Sequence, residues 1–377
     1  MDKKKILIIT HGFYPEQNPR SFRATELAKE LCRQGHEVSV MAPQRPNMEL
    51  LLQAFSIQFV SLGNLTWKLP KISRMGKIGA LFNKAVNRLL PLLFEFPMME
   101  LFFKISRKIK EEKNTYDAVI SIAVPYPVHW GVAFVWSKNT AQNIAPVWIA
   151  DCGDPYILQE NDTFQPPFYF RWIEIWFMRK VNYITVPTEN SYRGYFPEFH
   201  SKIKIIPQGF RFEDIDQQPV VEDGIVRFGY GGGFIPGRRD PRELLEFLCS
   251  LNPSIRFEFH IFTSTSQLIA PYATKDARIK LRSPTSRVTL LKELSSFNFV
   301  VNFANVGTAQ TPSKLIDYVI IDKPVLHIET GNLNSQIVVD FLEGNYEKGF
   351  VIANPDRYRI ETVAKQFIKL IECGKSQ

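Results

Sequence analysis

One pattern limits what this chain can become. A continuous apolar run, an amphipathic helix and a second apolar run begin near the N-terminus, and the same rhythm begins again near residue 225. Ile6-Leu7-Ile8-Ile9-Thr10 shows no apolar–polar alternation, which marks a strand buried on both faces, as in a parallel sheet. Ala24, Leu27, Ala28 and Leu31 share one helical face, with Ser21 predicted as its cap. Gly35 and His36 end that helix, and Val38–Ala42 follows as a strand, completing a βαβ unit. Further strands are predicted at Ala118–Ala123, Val147–Asp151, Tyr183–Pro187 and Ile203–Pro207. The second series opens with Ile225–Tyr230 and Gly231-Gly232-Gly233. A helix is predicted from Asp240-Pro241-Arg242-Glu243, where Asp caps, Pro takes the first turn and Glu reaches back. Strands at Phe257–Phe262, Phe299–Phe303 and Pro324–Ile328 follow, and Ile360, Val363, Ala364, Phe367, Ile368 and Ile371 give the last helix a core face. The expected class is α/β: two Rossmann-like, doubly wound parallel-sheet domains, residues 1–212 and 213–355, facing a central cleft. A C-terminal helix, 356–377, is expected to pack back toward the first domain. The acidic stretch Glu213–Asp223 lacks apolar periodicity and reads as the linker. Ligands of such folds bind outside the carboxyl ends of the strands.

Composition narrows the class further. The 377 residues suit two or three domains. With 45% hydrophobic and 22% charged residues the chain is neither disordered nor a coiled coil. Its 4 cysteines form no CxxC pair, which excludes a zinc ribbon or disulfide scaffold and fits a reducing cytosol. The apolar run in Met1–Thr10 is too short for a signal peptide. The longest apolar stretch, Leu89–Phe103, is broken by Pro91, Glu95, Pro97 and Glu100 and is too short to span a bilayer. A soluble or peripheral cytoplasmic protein is expected. The net charge of +8 is concentrated. Between Thr66 and Lys110 stand Lys68, Lys71, Arg74, Lys77, Lys84, Arg88, Lys104, Arg107, Lys108 and Lys110 against Glu95 and Glu100, with leucines and phenylalanines interleaved. Such a segment either lies on an anionic membrane, at the inner face of the plasma membrane, or forms a core helix pair with a solvated basic face. The aromatic run Phe164–Phe177 is read as core, with an edge that could face the acceptor. Nucleic acid is excluded as a partner, because no helix-turn-helix, zinc or RNA-binding signature accompanies the charge.

Four places carry candidate chemistry. Thr311-Pro312-Ser313-Lys314 reads as a helix start, with Thr311 as cap, whose free N–H groups and dipole suit a diphosphate. Asp317, two turns in, could accept hydrogen bonds from a ribose diol, or the segment is an ordinary capped helix. Gly232 and Gly233 would let backbone approach a phosphate, with Arg238 and Arg239 as bidentate partners, or the loop is flexible with solvated arginines. The loop is neither a dinucleotide fingerprint nor a Walker loop. His11, ending the first strand, and Arg20 and Arg23 beyond it would meet the ligand edge, unless His11 is a structural histidine. Asp151 and Asp154 follow another strand as two carboxylates, unless Asp154-Pro155 is a plain turn. No visible motif requires a metal.

These pieces, in this order, resemble the GT-B glycosyltransferases, specifically the retaining group 1 (family 4) type, along nearly the whole chain. Ile6–Pro43 is similar to that family's opening strand, loop, helix and Gly-His-Glu-Val segment. Ile205-Ile206-Pro207-Gln208-Gly209-Phe210 resembles its Ile-Pro-Asn-Gly hinge, Gly231–Asp240 its Gly-Arg-Arg-Asp-Pro loop, Thr311–Pro324 its Pro-Ser-Lys-Leu-x-Glu-Tyr segment, and Asp151–Tyr156 an Asp-x-Arg-Asp-Pro-Trp motif. The resemblance implies transfer of a sugar from a nucleotide diphosphate-sugar, with no cofactor or metal, to a hydroxyl of a glycan or lipid-linked acceptor in cell-surface polysaccharide synthesis. By position, Arg238, Arg239, Ser313 and Lys314 would meet the diphosphate, Asp317 the ribose, and Ser283 and Pro284 the base. Asp154 and His11 would serve catalysis, and Arg20 and Asp151 the acceptor side. Three departures stand out. The first of the family's two acids is Ala309, the N-terminal glycine pair is Asn18-Pro19, and the arginine of the aspartate motif is Gly153. A nucleotide-sugar epimerase of the same fold and an inactive nucleotide-sugar-binding scaffold remain as alternatives.

Overall fold

The computed structural model describes residues 2–16, 18–70, 76–137, 139–158, 166–304 and 313–375, without the side chains of 76–81, 140, 190 and 313–316. The chain divides into two compact units, residues 1–210 with 357–377, and residues 211–356.

In the first unit the elements run β1 (Lys5–Thr10), α1 (Pro19–Arg33), β2 (Glu37–Ala42), α2 (Met48–Ala54), β3 (Gln58–Ser61), α3 (Gly76–Phe94), α4 (Met99–Glu111), β4 (Ala118–Ile122), α5 (Pro127–Val135), β5 (Val147–Asp151), α6 (Tyr169–Lys180), β6 (Tyr183–Val186) and β7 (Ile203–Ile205). The strands form a parallel sheet in the order β3-β2-β1-β4-β5-β6-β7. Its central strands are buried on both faces, as their unbroken apolar runs require. The second unit runs β8 (Val226–Gly231), α7 (Arg242–Ser250), β9 (Phe257–Phe262), α8 (Ala270–Lys275), β10 (Ile279–Arg282), α9 (Arg287–Ser295), β11 (Phe299–Phe303), α10 (Ser313–Ile321), β12 (Val325–Ile328) and α11 (Ser335–Leu342). Its parallel order is β10-β9-β8-β11-β12. The last helix, α12 (Ile360–Lys375), belongs to the first unit, where its apolar face joins the core of β1, β2 and α1. In both sheets the order reverses beside the first strand of the series, so each unit has a topological switch point there, between β1 and β4 and between β8 and β11.

Several local expectations are corrected. Asn18, not Ser21, caps α1: its side chain accepts the Ser21 N–H at 2.9 Å, and Pro19 takes the first turn. The helix α7 begins two residues after Asp240, and Glu243 accepts the Gly331 N–H at 3.1 Å instead of reaching back. The acidic stretch after Arg211 is not a free linker. Ile215 is buried, Gln217 donates to the Ile320 carbonyl at 2.9 Å, and the Gln218 N–H is held by Ser295 at 2.8 Å, so it packs on the second unit. The aromatic run before β6 is only half core: Phe170 and Phe177 are buried, whereas Phe168 and Trp172 are 75% and 66% exposed. Helical periodicity places 168 and 172 on the same face, one turn apart. The basic segment forms two helices, α3 and α4, that differ in burial. Leu101, Ile105 and Ile109 of α4 are buried in the first unit's core. No residue of α3 with a described side chain is fully buried. No helix among the described residues is long and apolar enough to cross a membrane.

Candidate active site

At the carboxyl edge of the first sheet, β5 ends at Asp151 and the chain turns through Gly153, Asp154 and Pro155. Asp151 does not face a ligand. It is 3% exposed, and Arg23 Nε and Nη2 donate to its two oxygens at 3.0 and 2.8 Å, with Thr185 Oγ1 at 2.6 Å. Burial alone would raise its pKa, but the charge and bonds of Arg23 with the Thr185 bond hold it below the usual carboxylate range. The same guanidinium donates to the carbonyls of Ile206 and Pro207 and lies 5.2 Å over the Phe367 ring of α12. Arg23 and Asp151 therefore fasten the last strands and the C-terminal helix together. The expectation of an acceptor-side Asp151 is corrected on this geometry.

Asp154 is different. Its side chain is 54% exposed, and Arg20 Nη2 of α1 lies 3.7 Å from Oδ2. A Cβ built on Gly153 would sit 1.1 Å from that same Nη2, so Arg20 fills the space a side chain at 153 would take. Gly153 thus leaves room for the guanidinium of Arg20 from α1. The loop is fixed from beneath. The Tyr126 hydroxyl donates to the Asp154 carbonyl at 2.6 Å, and the buried Glu174 accepts the backbone N–H groups of Tyr156 and Ile157. Burial raises the Glu174 pKa to about 8 against those bonds. Asp154 borders a cavity of about 730 Å³, lined also by Asn87, Leu92, Glu95, Tyr126 and Tyr156. His11, just beyond β1, is half-buried, and burial lowers its pKa, with Glu16 and Arg45 as its charged neighbours.

In the second unit, β8 ends at Gly231 and leads into a tight hairpin. Ile235 and Arg239 pair across it, Gly237 turns its tip at φ 72°, and Asp240 accepts the Gly237 N–H at 3.0 Å. Gly232 sits at φ 149°. Arg238 is exposed near the tip, whereas Arg239 folds back and donates to the Gly233 carbonyl at 3.1 Å. Ser283 and Pro284 are exposed just after β10. Asp317, on α10, is held by a residue the sequence reading passed over: Arg287 Nε of α9 donates to its Oδ1 at 2.8 Å. Ala309, Thr311 and Pro312 lie outside the described residues, as do the side chains of Ser313 and Lys314, whose backbone opens α10. Glu95, Tyr126 and Arg287 were not singled out from sequence. Glu95 stood in a segment read for its charge and apolar content, and the other two carried no motif.

No family model and no curated protein matches the chain. Solved structures do. A glycosyltransferase from Rickettsia africae superposes with a TM-score of 0.60 at 12% identity, over 99% of both chains. HepE of Anabaena, solved with UDP and glucose, gives 0.54 at 12% identity over 98% of this chain and 100% of its own. The UDP-GlcNAc 2-epimerase of Methanocaldococcus jannaschii gives 0.56 at 11% identity over 98% and 99%. The likeness extends over essentially the full chain and establishes the fold, which is GT-B.

Proposed function

We propose that this protein is a glycosyltransferase that moves a sugar from a nucleoside diphosphate donor to a hydroxyl of a glycan or lipid-linked acceptor. The observation that carries the reading is the cavity beside Asp154. It lies at the carboxyl edge of the first sheet, in a different unit from the glycine-arginine hairpin and α10 of the second, and a transferase needs two such places. The second unit would take the donor. Arg238, Arg239, Lys314 and the first turn of α10 would hold the diphosphate, Asp317 braced by Arg287 the ribose, and Ser283 and Pro284 the base. HepE was solved with UDP, which makes UDP the first nucleotide to test.

In the reaction the acceptor oxygen bonds to the anomeric carbon as the bond to the diphosphate breaks. With retention, a donor phosphate oxygen takes the acceptor proton, and Asp154 orients the hydroxyl. Charge develops on the departing diphosphate, so donors placed there act mainly in the transition state. The cations would neutralise it without a metal, and transfer would continue in EDTA. Orienting the hydroxyl toward the anomeric carbon contributes through proximity, and a small misplacement of the attacking atom costs rate. Asp154→Asn is therefore expected to cut transfer at least tenfold and leave UDP binding unchanged. Wild-type transfer by Asp154→Asn at saturating acceptor would remove the acceptor assignment.

The epimerase neighbour supports a second reading, in which the donor alone is substrate. Incubation with UDP-GlcNAc and no acceptor separates the two: conversion to the 2-epimer means epimerase, and an inert nucleotide sugar that becomes reactive with an acceptor means transferase.

Membrane contact through residues 66–110 belongs to the same proposal. Both acids of the segment turn inward: Glu100 accepts from the N–H groups of Thr66 and Trp67, and Glu95 bonds to Tyr156. Lys84, Arg88 and Arg107 remain at the surface beside exposed Phe82, Leu89, Phe94 and Phe103.

A further inference from the structure

Glu95 ends α3 in an unusual state. Its φ is 51°, in the left-handed region that glycine or asparagine normally takes at a helix end and that costs any other side chain energy. Residues kept in such conformations cluster where a side chain must be aimed. Here the carboxyl points back into the first unit, where Tyr156 Oη donates to Oε1 at 2.8 Å, and it lines the cavity that Asp154 also borders. Burial raises its pKa, opposed by the Tyr156 bond. A third cavity residue, Asn87, carries a buried side-chain oxygen with no hydrogen-bond partner among the described residues. Asn87 and Pro91 lie one turn apart on α3 and Glu95 follows its last residue, so the C-terminal end of α3 forms this wall. A buried acceptor atom left unmade is costly, and protein interiors rarely keep one without a partner that arrives with a ligand or water.

The wall therefore offers acceptors: the Glu95 carboxyl, the Asp154 carboxylate and the Asn87 amide oxygen, over an apolar floor that includes Leu92 and Pro155. The complementary molecule carries several hydrogen-bond donors on a small ring. We propose that Glu95, with Asn87, binds adjacent hydroxyls of a sugar ring at the acceptor end of this cavity, so that the acceptor is a glycoside read through a diol and Glu95 is an acceptor-binding residue. This rests on the reading of the Asp154 cavity as the acceptor site and narrows it from a glycan or lipid-linked acceptor to one that presents a sugar ring there.

The test uses the full-length protein and ligand-observed NMR with four probes: the n-octyl glycosides of glucose, galactose and mannose, and octyl tetraethylene glycol, which has the same chain and no diol. At least one glycoside is expected to bind through its ring protons. Glu95→Gln and Asn87→Leu should each weaken it at least fivefold, without changing UDP affinity or the response to octyl tetraethylene glycol. Glu95→Gly separates binding from folding, because glycine adopts φ 51° freely. Its thermal midpoint should equal or exceed that of the wild type while glycoside binding falls at least fivefold. Asp154→Asn is measured alongside. If it and Glu95→Gln both leave glycoside binding unchanged, the cavity is not the acceptor site and the wider reading falls. If only Glu95→Gln is silent, this inference falls alone. Binding of no glycoside, equal response to all four probes, or a lowered midpoint in Glu95→Gly with glycoside binding intact would overturn it.

Discussion

Removing the Arg23 guanidinium tests whether the buried pair at the end of β5 holds the first unit together. Arg23 and Asp151 are 3% and 4% exposed at the side chain, and the guanidinium serves two carboxylate oxygens, two carbonyls and one aromatic face. Arg23→Met keeps much of the volume and strips the charge, leaving Asp151 ionised in a desolvated site with only Thr185 as a bonded partner among the described residues. Breaking one side of a buried pair costs about 3–5 kcal/mol. For a unit of this size each kcal/mol moves the midpoint by about 2–4 °C, so the transition should fall by roughly 6–20 °C. The sign of the pH dependence follows from the carboxyl. In the wild type its folded pKa is depressed, so its contribution is complete above the unfolded value near about 3.9 and is lost only as pH falls through the lower folded one. In Arg23→Met the folded pKa rises, so the variant recovers stability as pH falls toward the unfolded value. The gap between the two proteins should be widest near neutrality and narrow by pH 4.5. The assay is calorimetric unfolding at both pH values, with Asp151→Leu/Arg23→Met as the control, which should be more stable than Arg23→Met because no buried charge remains. A loss below 1 kcal/mol at pH 7, or a gap that widens on acidification, would refute the reasoning.

Three further outcomes are expected. Gly153→Ala should leave the fold intact, because the atom it meets is the flexible end of Arg20, but should displace Arg20 from Asp154 and lower transfer, whereas Gly229→Ala, whose Cβ would sit 2.5 Å from Leu294 Cδ2 in the core, should lower stability by about 1–3 kcal/mol in denaturant melts. Arg239→Ala and Lys314→Ala should each weaken UDP in calorimetry by about 1.5–3 kcal/mol and leave uridine little affected, since charge-assisted bonds go to phosphate; equal loss for both ligands would contradict the assignment. The protein should sediment with vesicles containing phosphatidylglycerol and be released by salt, and indifference to both lipid charge and salt would dismiss the membrane reading.

The sequence by itself determined the ten strands that carry unbroken apolar runs and the places where loops with chemistry emerge, but not the short edge strands β3 and β10, whose partly exposed residues make no such run. These features depend on neighbours in the chain: unbroken apolar runs for doubly buried strands, a 3.6-residue face for α1 and α12, glycine and proline where an element stops. Even so, Asn18 took the cap predicted for Ser21, because Pro19 fixes the first turn one step after it. Only the tertiary structure decided what each charged residue does. Asp151 and Asp154 look alike in sequence, yet one is sealed by Arg23 from 128 positions away and the other stands open beside Arg20. Asp317 meets Arg287 and Glu95 meets Tyr156 across separations of 30 and 61 residues that no local pattern encodes. Nor did the local sequence announce that a glutamate would end α3 at positive φ. Burial and pairing of a charge depend on which elements pack around it, and packing is settled only when the whole sheet has formed.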